Sequence, residues 1–143
     1  MKTPKERIIN ILLIDDSSMD LMLTENILQK AKTPVVIQVA SDGEKAIETL
    51  KDSTTPKPDI ILLDINMPKK DGKETLQEIK RDEDLKMIPV IMLTSSESKK
   101  DVFDCYKAYA NSYVLKPAKV EDHEKLLSAL ESFWFNMAVL PFD

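Results

Sequence analysis

The sequence is poor in the residues that many enzymes and extracellular scaffolds depend on. Cys105 is its single cysteine and His123 its single histidine. A lone cysteine builds neither a disulfide framework nor a thiolate metal site. One Cys and one His also argue against a Cys–His catalytic pair or a structural zinc centre. Cys105 reads as a small apolar filler, and His123 as a solvent-facing residue of the last helix. Positive charge is short as well: 20 Lys and Arg against 25 Asp and Glu leave a net charge of −5. Affinity for a phosphate backbone needs a basic surface, so nucleic-acid binding is excluded as the main activity. No apolar run approaches the ~18 residues of a membrane span. The opening Met1-Lys2-Thr3-Pro4-Lys5-Glu6-Arg7 has no apolar core behind its charges that could serve as a signal peptide. The expectation is a cytoplasmic protein with no membrane partner.

What is present fits one globular domain. The chain has 143 residues, 43% apolar and 31% charged. Ile60-Ile61-Leu62-Leu63 runs unbroken into Asp64, as a strand buried on both faces of a parallel sheet does. Ile8 to Ile14 reads the same way and ends in Asp15-Asp16. Val35 to Ala40, Pro89 to Leu93 and Ser112 to Leu115 supply three more strands. Helices fill the gaps. The first is capped by Ser17 or Ser18 and carries Leu23, Ile27 and Leu28. The second starts at Asp42-Gly43, with Ala46, Ile47 and Leu50 on its inner face. Glu74 to Arg81 buries Leu76 and Ile79. Lys99 to Ala110 carries Val102, Phe103, Tyr106 and Tyr109. Glu121 to about Phe135 carries Leu126, Leu127, Leu130 and Phe133. Alternation of this kind predicts an α/β domain: a doubly wound five-stranded parallel sheet covered by five helices. The expected boundaries are a short N-terminal extension at 1–7, the domain at 8–135 and an apolar C-terminal extension at 136–143, with no room for a second folded domain.

The strand ends carry the chemistry. In a parallel sheet Asp15-Asp16, Asp64, Thr94-Ser95 and Lys116 converge on one edge, where open α/β sheets place their sites. Three clustered carboxylates repel one another and call for a cation. A hard divalent ion bound through oxygen suits them, with Mg²⁺ as the default. Lys116 offers a positive charge and Thr94 a hydroxyl donor, both suited to a phosphoryl group. A site fitted to Mg²⁺ and phosphoryl together is a phosphoryl-transfer site. With no Ser, Cys or His set up as nucleophile, a carboxylate is the candidate and an aspartyl phosphate its product.

Asp15-Asp16, Asp64, Pro68, Gly72, Thr94 and Lys116-Pro117, in this order and at these spacings, resemble the receiver domain of bacterial two-component response regulators. The resemblance covers residues 8 to about 135. It implies a flavodoxin-like sheet of strand order 2-1-3-4-5, and Asp64 as acceptor of a phosphoryl group from the phosphohistidine of a sensor histidine kinase. It implies Mg²⁺ held by Asp15 or Asp16, Asp64 and the backbone carbonyl of Asn66. Thr94 and Lys116 would respond to the phosphoryl group, Tyr113 would occupy the aromatic switch position, and the Lys116–Pro117 peptide would be cis. Pro68-Lys69-Lys70-Asp71-Gly72 and Glu131-Ser132-Phe133-Trp134-Phe135 are similar to the single-domain regulators that pair with bacterial phytochromes.

Simpler readings stand beside these. Asp15-Asp16 could cap a helix, Lys116 could be a snorkelling surface lysine, and Tyr113 could be plain packing. Gly72 marks an unusual backbone angle or a close approach. All eight aromatic residues follow residue 102. Phe103, Tyr106, Tyr109, Tyr113, Phe133, Trp134 and Phe135 fall on the fourth helix, the fifth strand and the fifth helix. Aromatics are enriched at interfaces, so a homodimer surface is expected there, extended by Met137, Val139, Leu140, Pro141 and Phe142. The alternative is a tail folded back on its own domain. No separate substrate turnover is expected. A Mg²⁺-dependent phosphatase would want an acid two residues after its nucleophile, where Asn66 stands. A flavin carrier would want a hydroxyl- and glycine-rich loop after the first strand. A phosphorylation-independent interaction module would lack a site residue, and none is missing.

Overall fold

A computed structural model describes residues 7–142. Met1 to Glu6, most of the expected N-terminal extension, and Asp143 lie outside the described residues. Ten elements alternate as expected: β1 (Ile9–Ile14), α1 (Ser18–Leu28), β2 (Val35–Ala40), α2 (Gly43–Lys51), β3 (Ile60–Leu63), α3 (Gly72–Arg81), β4 (Val90–Thr94), α4 (Lys99–Lys107), β5 (Ser112–Leu115) and α5 (Val120–Ala129). The strands form one parallel sheet in the order β2-β1-β3-β4-β5. Both faces are covered, as the unbroken apolar strands require. One core layer joins Leu12, Ile14, Ile61, Leu63 and Val90 to Ala46, Leu50, Leu76 and Ile79. The other joins Ile11, Leu13, Leu62 and Ile91 to Leu28, Leu130 and Phe135.

Local chemistry fixes the helix starts. Ser17, Asp42, Asp71 and Ser98 each accept a backbone N–H from the residue three positions on, satisfying a donor that the first turn leaves unpaired. In α1 the inward residues are Leu28 and Leu21, while Leu23 is exposed. Five residues carry Leu23 about 140° around the helix from Leu28, whereas seven carry Leu21 to within about 20° of it.

The end of α4 comes three residues earlier than expected. Ala110 N–H closes back to the Cys105 carbonyl at 3.0 Å, and Tyr109 between them takes a left-handed φ of 73°. That is the helix-ending turn that glycine usually supplies. Cys105 is the residue that α4 buries.

The last helix also departs from a plain α pattern. Leu130–Phe135 is a π-helical turn continuing α5. A π turn bonds five residues on, so Phe135, not Phe133, returns beneath Leu130. Phe135 is 1% exposed and Phe133 52%. Phe135 is therefore removed from the expected partner surface and belongs to the domain's own core. The tail beyond it folds back in part: Leu140 is 3% exposed in the same core layer, while Met137, Val139 and Phe142 stay exposed. Arg7, buried just before β1, donates from Nη1 to the carbonyls of Phe135 (2.8 Å) and Ala138 (3.0 Å). A guanidinium thus serves the carbonyl of the last residue of the π turn, of the kind a helix end leaves unpaired, and one from the tail beyond it.

Candidate functional site at the carboxyl edge of the sheet

Register brings the strand ends together. Ile14 pairs with Leu63, Leu63 with Met92 and Thr94 with Leu115. Asp64 N–H donates to the Ile14 carbonyl at 2.9 Å, and Lys116 N–H to the Thr94 carbonyl at 2.8 Å. Asp15, Asp64 and Lys116 are therefore each the first residue past a strand, tied by a backbone hydrogen bond to its neighbour, and Thr94 is the last residue of β4.

Oxygens of Asp15, Asp16 and Asp64 lie within 4.8 Å of one another. Asp15 and Asp64 are buried and Asp16 is exposed. Asp15 Oδ1 accepts from Ser17 N–H at 2.9 Å, and Asp64 Oδ1 from Ile65 N–H at 2.8 Å. The second oxygen of each carboxylate faces Lys116: Nζ stands 2.7 Å from Asp15 Oδ2 and 3.2 Å from Asp64 Oδ2. Burial pushes the Asp15 carboxyl above its usual range against the pull of Lys116 and Ser17, and the Asp64 charge adds to the rise. Burial alone would lower the Lys116 ammonium, but the carboxylates of Asp15, Asp20 and Asp64 outweigh it and hold Lys116 well above the ordinary lysine range. Hard, anionic, closely spaced oxygens fit a divalent cation. Asn66, the further ligand implied by the family resemblance, lies exposed two residues past Asp64.

Two loops frame the site. After Asp64 the chain turns through Pro68 and a left-handed Lys69 (φ 63°). It then returns so closely that a Cβ on Gly72 would stand 2.0 Å from the Asp64 carbonyl oxygen. Of the two expectations for Gly72, close approach is the one realised; no glycine has a positive φ. Across the site, Thr94 is fully buried and its Oγ1 accepts from Ser96 N–H at 3.4 Å. Ser96 gathers further contacts: its carbonyl accepts from Tyr113 Oη at 2.8 Å and its hydroxyl donates to Asp101. Asp101 pairs with Lys73 Nζ at 2.6 Å, and Lys73 reaches Asp104 at 2.9 Å. A chain of contacts thus runs from Thr94 through Ser96 to α4 and back to the start of α3. Lys73, with help from Ser96, holds the Asp101 carboxyl below its usual range.

Sequence reasoning missed three of these residues. Asp20 lies 2.7 Å from Lys116 Nζ, although 96 positions separate the two. Asp101 and Lys73 are ordinary surface charges until α3 and α4 are set side by side. Two smaller expectations are corrected. The Lys116–Pro117 peptide is trans, like every described peptide bond, the isomer that X–Pro amides favour by about 0.5–1 kcal/mol. His123 is half-buried, not solvent-facing, with Nε2 3.2 Å from the Pro117 carbonyl.

The family model for the response regulator receiver domain matches residues 11–131. The response regulator Rcp1 of Synechocystis sp. is 38% identical over 135 residues, covering 92% of each chain. Its Mn²⁺-bound crystal structure superposes with a TM-score of 0.86 over 93% of this chain and 99% of that one. The phosphorylated cyanobacterial phytochrome response regulator RcpA is 35% identical, with a TM-score of 0.88 over 94% of this chain and 99% of its own. The bacteriophytochrome response regulator AtBRR is 33% identical, with a TM-score of 0.71 over the same shares, 94% and 99%. On the matched family model, the identities to these regulators and the shared sheet order, the chain belongs to the response regulator receiver domain family.

Proposed function

We propose that Asp64 accepts a phosphoryl group from the phosphohistidine of a sensor histidine kinase, and that the signal leaves through protein–protein contact. The observation that carries this is the placement of Asp64 Oδ2 3.2 Å from Lys116 Nζ inside a cluster of three carboxylates. Asp15, Asp16 and Asp64 would hold the cation, with Mg²⁺ the expected ion. When bound, it supplies charge neutralisation between the carboxylates and the phosphoryl oxygens. Lys116 supplies a second positive charge to the same oxygens. Thr94, fixed at the end of β4, supplies a hydroxyl, and Gly72 lets the loop after Asp64 pack against its backbone. Asn66 carries no titratable proton, which disfavours hydrolysis of phosphate esters by a strand-end aspartate. The similarity to RcpA and AtBRR, regulators named for phytochromes, points to a kinase of the bacteriophytochrome kind.

Phosphorylation adds about −1.5 to −2 charge at neutral pH. Ser96 is the node through which it would reach α4, since Thr94, Tyr113 and Asp101 all bond to it. The output surface is the α4–β5–α5 side. Phe103, Tyr106, Leu115 and Phe133 are exposed there, and a groove of about 610 Å³ between β5 and α5 is lined by Val114, Pro117, Leu126 and Trp134. A second copy of the chain is the expected partner on this side. Intact mass after incubation with Mg²⁺ and acetyl phosphate tests the central step. One phosphoryl adduct in the parent protein and none in Asp64→Ala supports it; no adduct, or an adduct that survives in Asp64→Ala, refutes it.

A further inference from the structure

Lys116 is shared. Its Nζ lies 2.7 Å from Asp20 Oδ2, as near as to Asp15 and nearer than to Asp64 at 3.2 Å. An ammonium has three N–H donors, and three carboxylates meet this one. We propose that Asp20 is a positioning residue of the phosphoryl-transfer site: it draws Lys116 toward α1 and competes with the Asp64 phosphoryl group for the ammonium. The proposal rests on the reading of Asp64 as phosphoacceptor.

Asp20 occupies the third position of α1, where an acidic side chain commonly reaches back to the N–H of the capping residue. That role is taken: Ser17 N–H donates to Asp15 Oδ1 at 2.9 Å. Ser17 Oγ in turn accepts from Asp20 N–H at 3.2 Å, which fixes the Asp20 backbone. Among the described residues, Lys116 is the one polar partner of the Asp20 carboxylate. Asp15 and Asp64 are the buried oxygens suited to a cation, whereas the Asp20 side chain is 38% exposed at the rim. Of the three acceptors it is the one that keeps its hold on Lys116 when a cation claims the other two. A phosphoryl group on Asp64 must then win the ammonium from Asp20.

The test is a double-mutant cycle on Asp20→Asn and Lys116→Met. A small phosphodonor, acetyl phosphate with saturating Mg²⁺, keeps kinase docking on α1 and changes in cation affinity out of the measurement. Asp20→Asn is expected to speed phosphorylation of Asp64 roughly 3- to 10-fold, the scale of a half-buried ion pair. It should also lengthen the phosphoryl lifetime. Asp20→Glu, which restores the charge, should return toward the parent rate. In the Lys116→Met background Asp20→Asn should change nothing beyond about twofold. An unchanged rate in Asp20→Asn, or equal acceleration in both backgrounds, overturns the proposal, because the latter is simple removal of negative charge. Mg²⁺ affinity by calorimetry supplies a readout that needs no phosphorylation. With Asp20 neutral, Lys116 stays on Asp15 and Asp64 and affinity should fall severalfold, but not when Lys116 is Met. Equal weakening in both backgrounds overturns the proposal. Absence of any Asp64 adduct would instead refute the phosphoacceptor reading, and the calorimetric arm would still decide the Asp20–Lys116 coupling.

Discussion

Phe133 and Phe135 are two residues apart, yet the π turn sends them to opposite environments, and truncating each to alanine separates fold from surface. Phe135 is 1% exposed between α5 and the sheet, beside Leu130 and Leu140. Removing its ring loses transfer energy and leaves a cavity, about 3–5 kcal/mol for a buried phenylalanine. At roughly 3 °C per kcal/mol for a domain of this size, Phe135→Ala should lower Tm by about 9–15 °C. Phe133 is 52% exposed and rests edge-on against Trp134, with ring centroids 5.1 Å apart. Such a pair is worth about 0.5–1.5 kcal/mol, so Phe133→Ala should cost about 1 kcal/mol and shift Tm by only about 3 °C. Its larger effect should be on self-association, read by sedimentation velocity over a dilution series. Thermal melts at the lowest concentration keep the two effects apart, because dimerisation itself raises apparent stability. Equal destabilisation by the two substitutions would refute the π-turn register. Unchanged association in Phe133→Ala would remove this residue from the proposed dimer surface.

Other expectations concern single groups. Tyr109 holds a left-handed φ of 73° at the end of α4, a conformation that costs non-glycine residues about 1–2 kcal/mol; Tyr109→Gly should therefore stabilise the protein by about 1 kcal/mol in urea melts, and destabilisation would contradict the assignment. The Asp101 carboxyl is held below its usual value by Lys73 and Ser96, so its stabilising effect is full above the unfolded value of about 3.9 and is lost as pH falls through the lower folded value. Asp101→Asn should thus be less stable than the parent at pH 7, with the gap closing in acid; a gap independent of pH would contradict this. Burial pushes the Cys105 thiol up to about 11, so a thiol reagent at pH 8 should react with it only on unfolding.

Much of this architecture is legible because it is carried by short apolar runs, each ending at its polar residue. Ile60–Leu63 and Ile9–Ile14 announce buried strands, and parallel pairing alone then brings Asp15, Asp16, Asp64 and Lys116 to one edge. Position in the chain is enough for those residues. It is not enough for Asp20, which matters only because the Lys116 side chain reaches from the end of β5 to the first turn of α1. Nor does α-helical periodicity reveal that Phe135 is core, since one π turn changes which residue returns to the inner face. The Lys73–Asp101 pair depends on helix packing across the α3–α4 boundary. The tail is similar: its apolar residues suggest a partner surface, but Leu140 is spent on the domain's own core, and Arg7 secures the carbonyls just before it.

The central claim is that Asp64 itself carries the phosphoryl group. Borohydride reduction of the phosphorylated protein converts an aspartyl phosphate to homoserine, and peptide mapping then reads the residue that was modified. The account predicts homoserine at position 64 alone, formed only when Mg²⁺ was present during phosphorylation. Homoserine at position 15 or 16, or a phosphoryl group on a hydroxyl or imidazole that resists reduction, would contradict it.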